Sequence, residues 1–80
     1  MARKTKAPLE QEVVLPSQIG TILRARRKAR RLAQAALAEQ LGISQARFSY
    51  LEAHPEALTV GRLLQLGRLL GIELVLRNNA

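Results

Sequence analysis

The chain has 80 residues, which makes one small domain near the lower limit for a self-sufficient core. It has no cysteine and one histidine, His54, so disulfides are excluded and a structural metal is not expected. Thirteen Lys and Arg against six Glu leave a net charge of +7, which directs the chain towards polyanions, and nucleic acid is the usual one. With disulfides and metal set aside, association with a second copy is the expected source of added stability.

Residues 1–12 are polar, carry Arg3, Lys4 and Lys6, and contain Pro8, and so read as a flexible basic tail. No apolar stretch of signal-peptide length follows these charges, and no apolar run is long enough to span a bilayer. A cytoplasmic, nucleoid-associated location is expected, with no membrane partner. Val13, Val14 and Leu15 form a short β-prone patch stopped by Pro16. Pro16 and Ser17 suit a helix start, and Ile19, Ile22 and Leu23 then recur at helical spacing. Beyond that stripe Arg24, Arg26, Arg27, Lys28, Arg30 and Arg31 crowd together, where mutual repulsion is costly unless an anion is normally present.

A second helix is predicted from about Ala33 to Leu41, burying Leu37 and Leu41. Gly42 lies just past its end, where a left-handed residue closes a helix at little steric cost. Ile43 plugs the turn, and Ser44 suits the cap of a third helix. At about 100° per residue, Phe48, Leu51, Ser44 and Glu52 share one face of that helix, while Ala46, Ser49 and Tyr50 point away with Arg47 beside them. One side is anchored and the other is free of large aliphatic groups, the division that a groove-reading helix needs. His54, Pro55 and Glu56 read as a loop, and Thr59 as the cap of a fourth helix. Its core stripe is expected to be Val60, Leu63, Leu64, Gly67 and Leu70, with Leu66 and Leu69 extending the apolar surface as a dimer face. After Gly71 the period changes: Ile72, Leu74 and Leu76 alternate with Glu73, Val75 and Arg77, a strand pattern over 72–77. A lone strand must pair with its copy in a second subunit or with the Val13–Leu15 patch; pairing between subunits is favoured, with Val75 in the interface too. Residues 78–80 are a short tail.

Ile19-Gly20, Leu23, Arg27, Gln34, Leu37-Ala38, Leu41-Gly42-Ile43-Ser44, Leu51-Glu52 and Leu63 together resemble the XRE, or Cro/C1-type, helix-turn-helix proteins over roughly residues 17–71. The resemblance implies a mostly α, lambda-repressor-like bundle of four or five helices spanning residues 13–71. Thr59-Val60, Leu63-Leu64 and Ile72-Glu73-Leu74-Val75-Leu76 further resemble the HipB-type antitoxins, in which a C-terminal strand pairs across the dimer. Carried over, the likeness implies that Gln34 contacts a phosphate and braces the recognition helix. It places Gln45, Ala46 and Tyr50 towards base edges, with Arg47 and Ser49 at the flank. It makes Arg27 and Glu52 a structural pair between the first and third helices. The chain departs from many relatives in having Arg31 where they have Gly, and Ala33 where they have a Ser or Thr cap.

Gln45 suits a two-bond contact to adenine, though a solvated amide near a helix start is the plainer reading. Tyr50 reads either as a phosphate, sugar or thymine-methyl contact or as packing at the helix edge. Ala46 is too short to hydrogen-bond a base and offers only contact with a thymine methyl. Of the basic block, Arg24, Lys28, Arg30 and Arg31 are the expected phosphate contacts, while Arg26 projects near the core face and Arg27 is assigned inward. With no Cys, no Asp and no glycine-rich phosphate loop, an enzyme is not expected, nor any cofactor. The expected function is a sequence-specific repressor, a homodimer on an inverted-repeat duplex, and the antitoxin of a HipA-type kinase toxin whose operon it autoregulates. The alternatives are a repressor without a toxin, a protein-interaction antitoxin with secondary DNA binding, and a general RNA or nucleoid binder.

Overall fold

The computed structural model describes residues 10–79, so the tail carrying Arg3, Lys4 and Lys6 lies outside the described residues. Four α-helices follow one another: α1 Pro16–Ala29, α2 Gln34–Leu41, α3 Gln45–Ala53 and α4 Val60–Leu70. A single 3₁₀ turn, Pro55–Ala57, separates α3 from α4.

Each boundary has a local cause. Pro16 occupies the first turn of α1, where its missing N–H leaves nothing unsatisfied. The Gln18 side-chain carbonyl accepts from the Val14 and Leu15 amides at 2.7 and 2.9 Å. Ser44 and Thr59 cap α3 and α4 by accepting from the Arg47 and Arg62 amides, each at 3.0 Å. Ala33, at the corresponding place before α2, makes no side-chain cap. Gly42 and Gly71 close α2 and α4 with φ of 73°, a left-handed conformation that a Cβ penalises.

Leu23, Leu37, Ala38, Leu41, Phe48, Leu66 and Leu70 form the buried core, with Ile19, Leu32, Ile43, Leu58, Leu63, Leu69 and Ile72 packed around it. Helix α1 runs close to the end of α3, since a Cβ on Gly20 would lie 2.6 Å from the Glu52 carbonyl oxygen. Only glycine lets the two backbones approach so nearly.

Helix α4 is rotated from the orientation its sequence leads one to expect. Leu66 is 1% exposed and belongs to the protomer's own core, so it is not available as a dimer contact. Val60 and Leu64, expected in the core stripe, are 72% and 46% exposed. The rotation follows from how the chain leaves the helix. Ile72 donates its amide to the Gly67 carbonyl at 2.8 Å and folds back on the core, and a Cβ on Gly67 would meet the Ile72 carbonyl oxygen at 2.6 Å. That reversal covers the Gly67 side and turns Leu66 and Leu70 inward.

Among the described residues there is no strand, and the expected strand over 72–77 has no ladder within the chain. No backbone hydrogen bond joins it to Val13–Leu15, although an ion pair at 3.6 Å links Arg77 to Glu10. The pairing of these two segments within one protomer, left open by the sequence, is not what the fold adopts. Ile72 is partly buried, whereas Leu74, Val75 and Leu76 remain exposed.

Candidate nucleic-acid interface

Nine residues make α3 too short to be stable alone in water, so its geometry is set by what it is anchored to. Phe48 and Leu51 enter the core at 1% and 5% exposure. Around the rest of the helix Gln45, Ala46, Arg47, Ser49 and Tyr50 are all exposed, with Ala46 and Tyr50 farthest from the core. The αL turn at Gly42 and the Ser44 cap fix the angle at which this face leaves α2.

Below the face sits a polar hub centred on Glu52, a residue 2% exposed. Arg27 donates to both of its carboxylate oxygens, at 2.9 and 3.1 Å, and the Gln34 amide donates at 2.9 Å. Arg24 stands 3.8 Å away with its side chain 44% exposed. Burial alone would push the Glu52 carboxyl up. The hydrogen bonds from Arg27 and Gln34, helped by the charges of Arg27 and Arg24, outweigh that and hold it below the ordinary carboxylate range. Arg27, 8% exposed, also donates to the Leu32 carbonyl at 2.9 Å, so one guanidinium ties the turn after α1 to α3. The hub thus joins α1, the start of α2 and the end of α3, and Gln34 braces the third helix through Glu52.

The basic block divides by partner. Arg26 donates to the Leu70 carbonyl at 2.8 Å and Arg30 to the Leu69 carbonyl at 3.3 Å, so both serve the otherwise open carbonyls at the end of α4. This binds Arg30, expected at a phosphate, to a structural task. The task was not visible in the spacing of the block; the signal was the helix end Leu69-Leu70-Gly71, whose last carbonyls need donors. Arg24 is partly drawn to Glu52. Lys28 and Arg31 are exposed. Arg31 has φ of 57°, an uncommon conformation for a residue with a side chain. Gly would be unstrained there, as in many of the relatives that the sequence resembles.

Arg62, which the sequence reading passed over, donates to the Leu41 carbonyl at 3.0 Å and so ties α4 to the turn between α2 and α3. Of the residues expected at a dimer face, Leu69 and Ile72 are partly buried, and Leu74, Val75 and Leu76 are exposed. Among the described residues no helix is long and apolar enough to cross a membrane.

The arrangement therefore has an anchored helix with one open polar face, preceded by a glycine turn and flanked by exposed cations. No curated protein and no solved structure matches the chain. A family model described as a helix-turn-helix domain matches residues 6–78, nearly the whole length. The chain belongs to the helix-turn-helix domain family.

Proposed function

We propose that the chain is a sequence-specific, non-enzymatic DNA-binding repressor that works as a homodimer on the chromosome, in the cytoplasm. The observation that carries this reading is the two-sided α3, with Phe48, Leu51 and Glu52 buried and Gln45, Ala46, Arg47, Ser49 and Tyr50 open. In a major groove Gln45 would hold adenine through its amide, and Ala46 would let the backbone approach a thymine methyl. Arg47, Ser49 and Tyr50 would meet the flanking bases and sugar–phosphates. Lys28 and Arg31 would neutralise phosphates.

Repression follows from occupying a promoter. Two copies related by a two-fold would set their α3 helices in successive major grooves about 34 Å apart, which calls for an inverted-repeat site. Support for the dimer comes from the apolar surface left open in one copy, at Val60, Leu64, Leu74, Val75 and Leu76. Pairing of 72–77 with its copy would supply backbone partners for residues 73–77, which have none among the described residues. Leu74→Arg is expected to convert a dimer into a monomer in sedimentation equilibrium with unchanged helical circular dichroism; an intact dimer would rule out this interface.

The DNA reading is tested by selection from a pool of random duplexes, followed by fluorescence anisotropy at near-physiological salt. The expected result is an enriched inverted repeat bound at least about a thousandfold more tightly than its scrambled counterpart. Gln45→Ala should lower that preference and leave the scrambled duplex unaffected. Equal binding to both duplexes would leave only generic charge. Occurrence of the enriched sequence upstream of the gene itself would establish autorepression.

A second reading, the antitoxin of a HipA-type kinase, draws on the HipB-like residues at 59–64 and 72–76. It is supported by an open apolar groove of about 340 Å³ bordered by Val13, Val14, Leu15, Ile19, Val60 and Leu63. No residue of α3 lines this groove, so a toxin docked there would leave Gln45 and Tyr50 free for DNA. If neutralisation is the main task, Gln45→Ala keeps its protective effect in cells; if repression is, the variant derepresses the operon.

A further inference from the structure

The open face of α3 continues past the residues that a helix-turn-helix reading assigns to DNA. The Tyr50 ring stacks on the His54 imidazole, with centroids 4.6 Å apart and planes inclined by 32°. On the preceding turn the Arg47 guanidinium lies 5.7 Å from the centre of the same ring, within cation–π range. The backbone of His54 is held by the helix. Its amide donates to the Tyr50 carbonyl at 2.7 Å, closing the last turn of α3, and its Nδ1 lies 3.5 Å from the Glu56 carboxylate. The His54 side chain is nevertheless 51% exposed, and Tyr50 is 49% exposed. An exposed tyrosine on a helix ordinarily samples several rotamers. Here a planar group on each side, one turn before and one turn after, favours one placement of the ring over the others.

We propose that His54 is a positioning residue for DNA reading, holding Tyr50 against Arg47 so that the three side chains present one continuous row to a single DNA strand. This rests on the DNA-binding reading above. The dimensions fit: seven residues at about 1.5 Å each separate Arg47 from His54 by about 10 Å along the helix. A DNA strand advances about 3.4 Å per nucleotide, so the row spans about three nucleotides. The ligand is a stretch of duplex whose middle base pair offers an apolar edge to the Tyr50 ring, a thymine methyl being the group that does so in the major groove. Arg47 supplies the cation at one end of the row.

The test takes the duplex enriched by the wild type and replaces each base pair in turn, with the wild type, Tyr50→Ala, His54→Ala and His54→Phe measured side by side by anisotropy. His54→Ala is expected to weaken binding to the enriched duplex about tenfold. It should relax discrimination at the base pair that Tyr50→Ala also relaxes, with the scrambled duplex bound as before. His54→Phe keeps a stacking ring and should restore that discrimination, which a loss of general stability would not do. If His54→Ala fails to fold by circular dichroism, His54→Gln makes the same comparison. Unchanged discrimination in the ring-less variant, or relaxation at a different base pair from Tyr50→Ala, overturns the proposal while leaving the DNA reading intact. A wild type that enriches no duplex overturns the DNA reading itself, and the role of His54 with it.

Discussion

Glu52→Gln is expected to remove about 3–5 kcal/mol of folding stability, the usual consequence of stripping one partner from a buried ion pair. The substitution keeps the shape of the side chain but leaves the Arg27 guanidinium, 8% exposed, without its counter-ion. It also forces two donors, Arg27 and Gln34, to share an amide that offers one carbonyl oxygen. A domain of 80 residues has roughly 4–12 kcal/mol in total, so the variant would stand at the edge of unfolding. The pH dependence follows from the lowered carboxyl of Glu52. A group whose folded value lies below its unfolded one contributes stability that is complete above the unfolded value and disappears as pH falls through the folded one. Wild type should therefore lose this contribution on acidification from the ordinary carboxylate range downward, whereas the variant has no such group to titrate. Urea unfolding at neutral pH and at progressively lower pH should show the gap between the two proteins narrowing. A gap below about 1 kcal/mol at neutral pH, typical of an exposed pair, would remove the hub from its central place.

What the sequence made legible was local. Gly42, Gly71, Ser44 and Thr59 act within their own turn, so residue type alone determined where α2 and α4 end and where α3 and α4 begin. The inward face of α3 was also legible, because Phe48, Leu51 and Glu52 stand at helical spacing in a segment with few other large side chains. Helix α4 was legible only in part, since Leu63, Leu64, Leu66, Leu69 and Leu70 cover more than half of its circumference, and an apolar stripe that wide leaves open which part of it is buried. Its rotation was decided by the return of Ile72 onto Gly67, a contact no pattern encodes. Within the basic block, Arg26 stands towards the core as its spacing indicated and there meets the Leu70 carbonyl. Arg30 looks like any other arginine in a cationic run until the end of α4, 39 residues later, brings the Leu69 carbonyl to it. The alternation over 72–77 was read as a strand, but a strand is defined by its partner, and the described residues of one chain hold none for it.

Phe48→Ala should be about as damaging, at roughly 3–5 kcal/mol, because it leaves a cavity where the largest buried side chain stood. Its consequence differs in kind. Phe48 is the main apolar anchor of α3, and without it this nine-residue helix retains Leu51 and the Glu52 hub alone. The open face carrying Gln45 and Tyr50 would then lose its fixed angle to α2 before the rest of the bundle melts, since Leu23, Leu37, Leu66 and Leu70 still pack on one another. DNA that binds only the ordered helix should oppose this loss. A duplex at about one hundred times its dissociation constant adds about 2.7 kcal/mol to the folded state, which recovers most of the deficit. Thermal unfolding of Phe48→Ala should accordingly shift upward with the enriched duplex and hardly at all with the scrambled one. A similar shift with both would mean that the duplex is held by Lys28, Arg31 and their neighbours, and that α3 takes no part in choosing it.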